Sequence, residues 1–433
     1  MREGLRVKIW NSKELPIDWF KRQQADQKAM QELENNVKAI INQVKAEGDE
    51  ALVEFAQKFD KAELNSRGLK VKPSEIKEAY TKTNPDQISA LKFMKEKVSA
   101  FQKQLLVQTD IKTSNDGISV QTVLRPIESV GCYVPGGQAA YPSTLIMTAI
   151  PAKVAGVPRV VVCSPSDVKG KVNPLVLVAA DICRVDEVYK VGGAQAIAAL
   201  TYGTKTIKPV RKIVGPGSKY VTTAKVLVSM DVAIDMPAGP SEVLVLADES
   251  ADARLIAYDM ISQAEHGGDS VAGLITTSET LAIVVDENLA KLADSTERSE
   301  KISESLAKYG FIIVCGDIEE MVNLSNQFAP EHLEVLTTKP KELAEKLTAG
   351  LILLGPYSPV ALSDYGSGTN HVLPTGGFAR SFSGLSAFDF MRRVSIVESG
   401  RTGLERVKDS IKVMTEAENL PNHSKAIQAR FEK

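Results

Sequence analysis

Apolar residues recur at helical spacing through the first hundred residues. The spacing from Gln27 to Phe59 predicts an amphipathic helix that Gly48 interrupts, with its apolar positions at Met30, Leu33, Val37, Ile40, Ile41 and Val44. A second helix is predicted after Asn84-Pro85-Asp86-Gln87, where Asn84 is suited to the N-cap and Gln87 to the reciprocal cap. Residues 118–124 then alternate between apolar and polar, which predicts a strand.

Between about 129 and 240 the pattern changes to short β-branched runs separated by alanine-rich helical stretches. Glycine-rich turns join these runs. A repeat of strand, turn and helix predicts a doubly wound parallel sheet, whose ligands bind at the carboxyl ends of the strands. The predicted strands are 160–162, 187–191, 212–214 and 232–235, and the predicted helices are 174–183, 194–202 and a third from 220.

The alternation resumes after Ser241. Strands are predicted at 243–246, 272–275, 311–314 and 351–354, a helix from about Ala251 to His266, and a long ordered loop at 363–384. We predict an α/β protein with two doubly wound parallel-sheet domains, the second inserted in the first. The predicted division is an N-terminal extension at 1–26 that contains both tryptophans and docks on the rest, a first domain at 27–130 and 241–380, a second at 131–240, and a helical tail at 381–433.

Charge and cysteine content narrow the class of protein. The formal net charge is -2 and there is no basic run, which argues against a nucleic-acid or anionic membrane partner. The four cysteines form no C-x-x-C pair, so we expect reduced thiols and neither a disulfide scaffold nor a thiolate zinc site. The first residues lack an apolar signal region and no apolar stretch reaches spanning length, which predicts a cytoplasmic protein with no membrane association.

Standard phosphate-binding motifs do not match. The chain contains no G-x-x-x-x-G-K-[ST], and Gly215-Pro216-Gly217-Ser218-Lys219-Tyr220 begins like a dinucleotide fingerprint but has Tyr220 in place of the third glycine. The glycine-rich turns could admit a nucleotide. They are equally consistent with tight connections between strands and helices.

The four histidines have similar neighbours in the sequence. Each is predicted at a helix end or in a polar loop, with a carboxylate or amide nearby, which favours a common metal or catalytic site over four unrelated loop histidines. A set of nitrogen and oxygen donors without thiolate suits zinc, and would also accept manganese or cobalt. The groups are Gln263 with His266, Glu331 with His332, Asp364 with His371, and Glu418 with His423.

Gln263 and His266 allow two interpretations. Three residues apart on a helix, they would project from one face and form half of a metal site. Alternatively, because Gly267 and Gly268 end the helix, His266 could bond its last carbonyls as a C-cap.

Several long motifs resemble the histidinol dehydrogenase family over the chain from about residue 27 to the tail. The resemblance implies incomplete Rossmann-like domains and a zinc-dependent oxidation of L-histidinol to L-histidine by two hydride transfers to NAD, through an aldehyde, in the last steps of histidine biosynthesis. It also implies one Zn²⁺ per subunit and a homodimer with shared active sites, in which 381–433 is the dimerisation tail and 131–240 the nucleotide side. The motifs are 133–137, 193–200, 235–242, 263–266, 329–333 and 367–375.

The resemblance also implies a role for each matching residue. His332 would take the alcohol proton and Glu331 would activate water on the aldehyde. His423 would come from the partner subunit. The implied zinc ligands are Gln263, His266, Asp364 and His423; the substrate contacts are these four with His332, Ser241, His371 and Glu418; the nucleotide contacts are Tyr133, Gln195 and Ser218. The family usually has Asn at the position of Ser218, where a hydroxyl can still bond a ribose or phosphate oxygen and Lys219 adds a charge.

Two other functions compete with this interpretation. An aldehyde dehydrogenase would use Cys132, beside a glycine-rich turn, as its nucleophile, although no base lies near it in sequence. A metal-dependent binding protein would close two lobes on a small amine without transferring a hydride.

Overall fold

Two parallel sheets and one small antiparallel sheet organise the chain. The computed structural model describes residues 6–16, 19, 27–107, 111–115, 117–136, 140–236 and 239–432. The strands are β1 (Lys8–Asn11), β2 (Ile111–Asn115), β3 (Ile118–Pro126), β4 (Ser129–Tyr133), β5 (Arg159–Cys163), β6 (Glu187–Tyr189), β7 (Lys212–Val214), β8 (Ala233–Ile234), β9 (Glu242–Ala247), β10 (Val271–Thr276), β11 (Phe311–Val314), β12 (His332–Leu336), β13 (Leu351–Leu354) and β14 (Met391–Ser399).

Helices connect and cover these strands. Those described are too short or too polar to traverse a lipid bilayer. Their bounds are α1 (Gln27–Glu47), α2 (Asp49–Phe55), α3 (Pro73–Thr81), α4 (Pro85–Leu106), α5 (Pro142–Val154), α6 (Pro174–Ile182), α7 (Gly193–Tyr202), α8 (Lys219–Val228), α9 (Ala253–Ala264), α10 (Glu279–Ser295), α11 (Ser299–Tyr309), α12 (Ile318–Phe328), α13 (Pro340–Ala344), α14 (Val360–Tyr365), α15 (Arg401–Ala417) and α16 (Pro421–Gln428).

The larger sheet has the order β1-β11-β10-β9-β12-β13, with every pair parallel. The predicted strands at 243–246, 272–275, 311–314 and 351–354 are confirmed, and residues 8–11 of the N-terminal extension add β1 at its edge. Trp19 packs edge-on against Phe311 of β11, with ring centroids 4.7 Å apart. Residues 1–5, 17–18 and 20–26 of the predicted extension lie outside the described residues.

The smaller parallel sheet has the order β6-β5-β4-β7-β8. Its predicted strands and helices are confirmed. The order reverses between β4 and β7, and this is the switch point at which a doubly wound sheet opens a ligand crevice.

The helical block before residue 108 packs on this smaller sheet, which differs from the predicted grouping of 27–130 with 241–380. Val37 and Leu52 share one core cluster with Leu200, while Leu91 shares another with Val160. The capping box at Asn84 is present as predicted. Spacing along α1 and α4 reveals an apolar face but not which sheet covers it, and here the covering sheet is the smaller one.

The third sheet joins the tail to the middle of the chain. Strand β14 pairs antiparallel with β3 from Met391 opposite Pro126 to Ser399 opposite Ile118, and β2 lies on the other side of β3. The tail was predicted to be helical, and this prediction is wrong for 391–399. Helices α15 and α16 follow, and they leave Val413, Met414 and Leu420 exposed.

Candidate active site

Helix α9 ends at the first predicted pair of ligands. Gln263 lies in its last turn with 2% of its surface exposed, and Glu265 caps the helix by donating its N–H to Ile261 O at 3.1 Å. His266 lies beyond the helix, and its N–H bonds Gln263 O at 3.2 Å. The two side chains therefore do not share a regular helical face, because α9 ends two residues earlier than predicted, at Ala264. Among the described residues no ring nitrogen of His266 bonds a carbonyl of α9, so the side-chain cap has no support.

His332 is the first residue of β12, a strand buried along its whole length in the larger sheet. The prediction of a helix end or polar loop is wrong here. Glu331 immediately precedes the strand, and both side chains are buried, with 6% and 4% of the residue exposed. A strand end in mid-sheet holds these two groups more rigidly than a loop would.

Glu242, at the start of the neighbouring strand β9, contacts both of them. Its N–H donates to Glu331 Oε2 at 2.8 Å, and its carbonyl lies 3.2 Å from His332 Nδ1. Because a carbonyl can only accept, Nδ1 carries the hydrogen and Nε2 keeps its lone pair. The Glu242 carboxylate accepts the N–H of Gly376 at 3.0 Å and so also holds the loop after β13. Sequence reasoning assigned Glu242 no role, although a charged residue that opens an apolar strand was a usable signal.

Asp364 approaches His332 from α14, a short helix whose last three residues overlap the stretch predicted to be a loop. Its Oδ1 lies 3.9 Å from His332 Nε2 and 3.6 Å from His371 Nδ1. The start of α14 is fixed because Val360 N–H donates to the buried Glu334 Oε1 at 2.8 Å. The structure thus brings together His332, Asp364 and His371.

Among the described residues, three buried polar atoms of the candidate ligands and bases have no hydrogen-bond partner: His332 Nε2 and Asp364 Oδ1, which lie 3.9 Å apart, and the side-chain nitrogen of Gln263 in the last turn of α9. Buried polar groups are almost always paired, so a group of orphans marks a site that a ligand completes. The oxygen and nitrogen of a glutamine amide are assigned rather than observed, so either atom of Gln263 can face the site. With His266 these residues offer nitrogen and oxygen donors, which fits zinc.

Burial sets the charge state of this cluster. It lowers the pKa of His332 to about 4 and that of His371 to about 3, and it lowers the pKa of His266. It raises the pKa of Asp364 to about 7 and that of Glu331 well above its usual range. At neutral pH the imidazoles are therefore neutral, able to accept a proton or to hold a metal.

A cavity of about 40 Å³ connects this cluster with the smaller sheet. Ser241, Glu331 and His371 line it from one side, and Gly215 and Pro216, just after β7, line it from the other. The turn predicted to be a possible nucleotide site therefore shares a cavity with Glu331 and His371.

The three residues implied for nucleotide contact lie at or after the carboxyl ends of β4, β6 and β7 of the smaller sheet. Tyr133 ends β4, and its hydroxyl accepts the N–H of Gly193 at 3.1 Å; Gln195 follows in the first turn of α7. Ser218 is the N-cap residue of α8, but its side chain makes no capping bond and is exposed. Its hydroxyl is therefore available to a ligand.

Glu418 and His423 are not brought to the cluster within one chain. Both are exposed, Glu418 just after α15 and His423 in α16. In the part of the chain that the structure describes, no hydrogen bond or ion pair links either to the other candidate residues, and no group of three His, Cys, Asp or Glu side chains is assembled for a metal. Of the three implied zinc ligands of that kind, His266 and Asp364 lie in the body of the subunit and His423 lies in the exposed tail.

Cys132 is fully buried in β4, and burial raises the pKa of its thiol to about 12. All four cysteines are buried and free, as predicted. A buried protonated thiol is a poor nucleophile, which weighs against the aldehyde dehydrogenase alternative.

Comparison with known proteins agrees with this architecture. The family model for histidinol dehydrogenase matches residues 21–431. The chain is 45% identical over 403 residues to the histidinol dehydrogenase of Methanocaldococcus jannaschii, covering 93% of each chain. It is 45% identical over 401 residues to that of Clostridium acetobutylicum, covering 92% of this chain and 93% of the relative. The crystal structure of histidinol dehydrogenase from Elizabethkingia anophelis superposes with a TM-score of 0.92 at 35% identity, over 100% of this chain and 99% of that one.

The fold and the site define an α/β protein with two parallel sheets, in which residues next to both sheets line a cavity beside a cluster of buried histidines and carboxylates. The chain belongs to the histidinol dehydrogenase family.

Proposed function

We propose that this protein oxidises L-histidinol to L-histidine with NAD as the hydride acceptor, as a zinc-dependent homodimer in the cytoplasm. The observation that carries the proposal is the neutral His332 at the end of a buried strand, with its free Nε2 turned toward Asp364 and with Glu331 beside it. The substrate is proposed from family membership, and the chemical role of each residue is proposed from its position and contacts.

His332 acts in the first oxidation. Its Nε2 takes the hydroxyl proton of histidinol while the carbon-bound hydrogen leaves with its electron pair for NAD, giving the aldehyde and NADH. A neutral imidazole is required for this step, and burial keeps the pKa of His332 near 4.

Glu331 acts in the second oxidation. Its carboxyl group lines the cavity and acts in its ionised form, and the raised pKa makes that form a stronger base for removing a proton from the water that adds to the aldehyde. The hydrate then gives its hydride to a second NAD and becomes the carboxylate. Overall, histidinol, two NAD⁺ and one water give histidine, two NADH and three protons.

Gln263, His266 and Asp364 would hold the zinc ion, together with His423 of the partner subunit. Zinc is redox-silent and, when bound, supplies an anchor for the imidazole and amine of histidinol. The orphaned atoms of Gln263 and Asp364 support their assignment, and the exposure of α16 supports a tail that reaches across a dimer. Ser241, His371 and, from the partner subunit, Glu418 would complete the substrate contacts.

Tyr133, Gln195 and Ser218 would bind the dinucleotide at the switch point of the smaller sheet. The support is their common position at the carboxyl ends of β4, β6 and β7, beside the turn that lines the cavity. Tyr133 and Gln195 are buried, so their polar atoms would position the turns while the exposed Ser218 bonds the nucleotide itself.

The test is whether the purified protein, with zinc supplied, forms NADH from NAD and L-histidinol. A protein that binds histidinol, measured by calorimetry, yet never reduces NAD would instead be the metal-dependent binding protein. A matched assay with ethanol as the alcohol gives the background.

A further inference from the structure

A buried ion pair lies directly behind the turn between β7 and α8. Lys225 of α8 pairs with Asp235, which follows β8, and their side chains are 3% and 1% exposed. Both side chains hydrogen-bond to the backbone of Gly215. Asp235 Oδ2 accepts its N–H at 2.8 Å, and Lys225 Nζ donates to its carbonyl at 3.0 Å. The two charged groups therefore bond both backbone polar groups of one residue, Gly215.

Gly215 has a conformation that needs such support. Its φ is +117°, and a Cβ built on it would lie 2.2 Å from the carbonyl oxygen of Tyr133. No side chain fits there, so the backbone of the turn passes directly against the end of β4. Glycine loses more backbone conformational entropy on folding than other residues do. The hydrogen bonds to the N–H and the carbonyl of Gly215 offset part of that cost.

The Gly215–Gly217 turn faces the proposed reaction centre. Gly215 and Pro216 line the same small cavity as Glu331 and His371, and Asp235 lines it too. Ser218 lies three residues further on at the N-cap of α8, the helix that carries Lys225. A shift of the turn would therefore move the nucleotide side relative to the acid–base pair.

We propose that the Lys225–Asp235 ion pair is a positioning device that fixes the Gly215–Gly217 turn for binding of the dinucleotide. Buried ion pairs contribute little net stability compared with apolar pairs of similar size, so holding a geometry is the better explanation for one placed here. The inference rests on the proposed function, since it concerns the NAD side of the same site. Lys225 and Asp235 are positioning residues, because neither is required to touch the substrate.

The test is the dissociation constant of NADH, followed by its fluorescence on titration with the zinc-loaded protein. We expect Lys225→Met to raise this constant about tenfold or more, through loss of the bond to the Gly215 carbonyl and release of the turn. Lys225→Arg, which keeps a donor and the charge, should restore most of the affinity. Histidinol binding, measured by calorimetry, should change less than about twofold in both variants.

Arg159→Met is the matched control. It removes another ion pair of the same sheet, with Arg159 Nε 2.8 Å from Glu187 Oε1, at the opposite, amino-terminal edge of the strands. Its melting temperature should fall while the NADH dissociation constant stays unchanged. If Lys225→Met does no more than this control, the proposal is overturned.

Lys225→Met alone leaves Asp235 buried and unpaired, which endangers folding. The double variant Lys225→Met/Asp235→Asn removes both charges and keeps an acceptor for the Gly215 N–H, so it serves if the single variant is not folded. Weakened NADH binding by the double variant supports the positioning role, and wild-type affinity overturns it. If the wild-type protein binds no NADH, the proposed function itself is refuted. If the wild type binds NADH and the variant binds it equally well, only the positioning role is refuted.

Discussion

The backbone carbonyl of Glu242 lies 3.2 Å from Nδ1 of His332, between two neighbouring parallel strands. This contact fixes the tautomer of the ring and directs the basic nitrogen, Nε2, away from the sheet and toward Asp364. A central strand of the larger sheet thereby sets both the orientation and the protonation of the proposed base.

Replacing His332 with Asn should slow the oxidation of the alcohol most. The variant lacks the base that takes the hydroxyl proton, an effect of about 10²- to 10⁴-fold in kcat. Oxidation of added histidinaldehyde should fall much less. Stopped-flow absorbance of NADH with each substrate separates the two steps, and an equal loss in both would contradict the assignment.

Replacing Glu331 with Gln should give the reverse profile. The amide keeps the shape and can still accept the N–H of Glu242, so the sheet is preserved, but it cannot remove a proton from water. We expect aldehyde oxidation to slow by about 10²-fold or more, with the first hydride transfer largely retained. Histidinaldehyde trapped by a hydrazine reagent should accumulate, and its absence would count against a role for Glu331 in the second step.

Acid should destabilise the metal-free protein through His332. Its pKa is about 4 when folded and about 6.5 when unfolded, so the unfolded state binds the proton first as the pH falls. The stability contributed by keeping this ring neutral is complete above about pH 6.5 and is lost toward pH 4. Between about pH 7 and 4.5 the wild type should lose roughly 2–3 kcal/mol more free energy of unfolding than His332→Asn.

Urea denaturation at each pH measures that difference. The raised pKa of Glu331 acts with the opposite sign, since its protonated form is favoured in the folded state, but it is present in both proteins and largely cancels. Parallel stability curves for the two proteins would show that the ring is not held neutral by burial.

Mixing two inactive variants should restore activity if the site is shared. His423→Ala damages only the tail, and His266→Ala only the body of the subunit. In a mixed dimer one site receives an intact body and an intact partner tail. Random reassociation of equal amounts should therefore recover about a quarter of wild-type activity. No recovery, from dimers shown to have exchanged, would place His423 in its own subunit's site or outside it.

Sequence pattern predicted the apolar strands β11 and β13 to the residue, because each is an uninterrupted apolar run. It missed β12, whose residues include His332 and Glu334; these polar side chains break the apolar run that marks a buried parallel strand. It missed β14 because Met391–Ser399 is polar and largely exposed, and its pairing with β3 depends on residues far away in sequence.

The candidate site, like the fold, was only partly predicted from the sequence. Glu331, His332, Asp364 and His371 were predicted as site residues and do lie together. The similar surroundings of the four histidines singled them out and the family resemblance gave them roles, whereas local pattern placed His332 in the wrong kind of element. Glu242, Lys225 and Asp235 were not assigned roles, because their contacts join strands and turns that only the fold brings side by side.

The most direct measurement is the yield of NADH per histidinol at completion, with limiting L-histidinol and excess NAD, alongside identification of the product. A four-electron oxidation by one enzyme predicts two NADH and one L-histidine for each histidinol consumed. One NADH per histidinol with the aldehyde as the final product, or no NADH at all from zinc-loaded dimer, would contradict it.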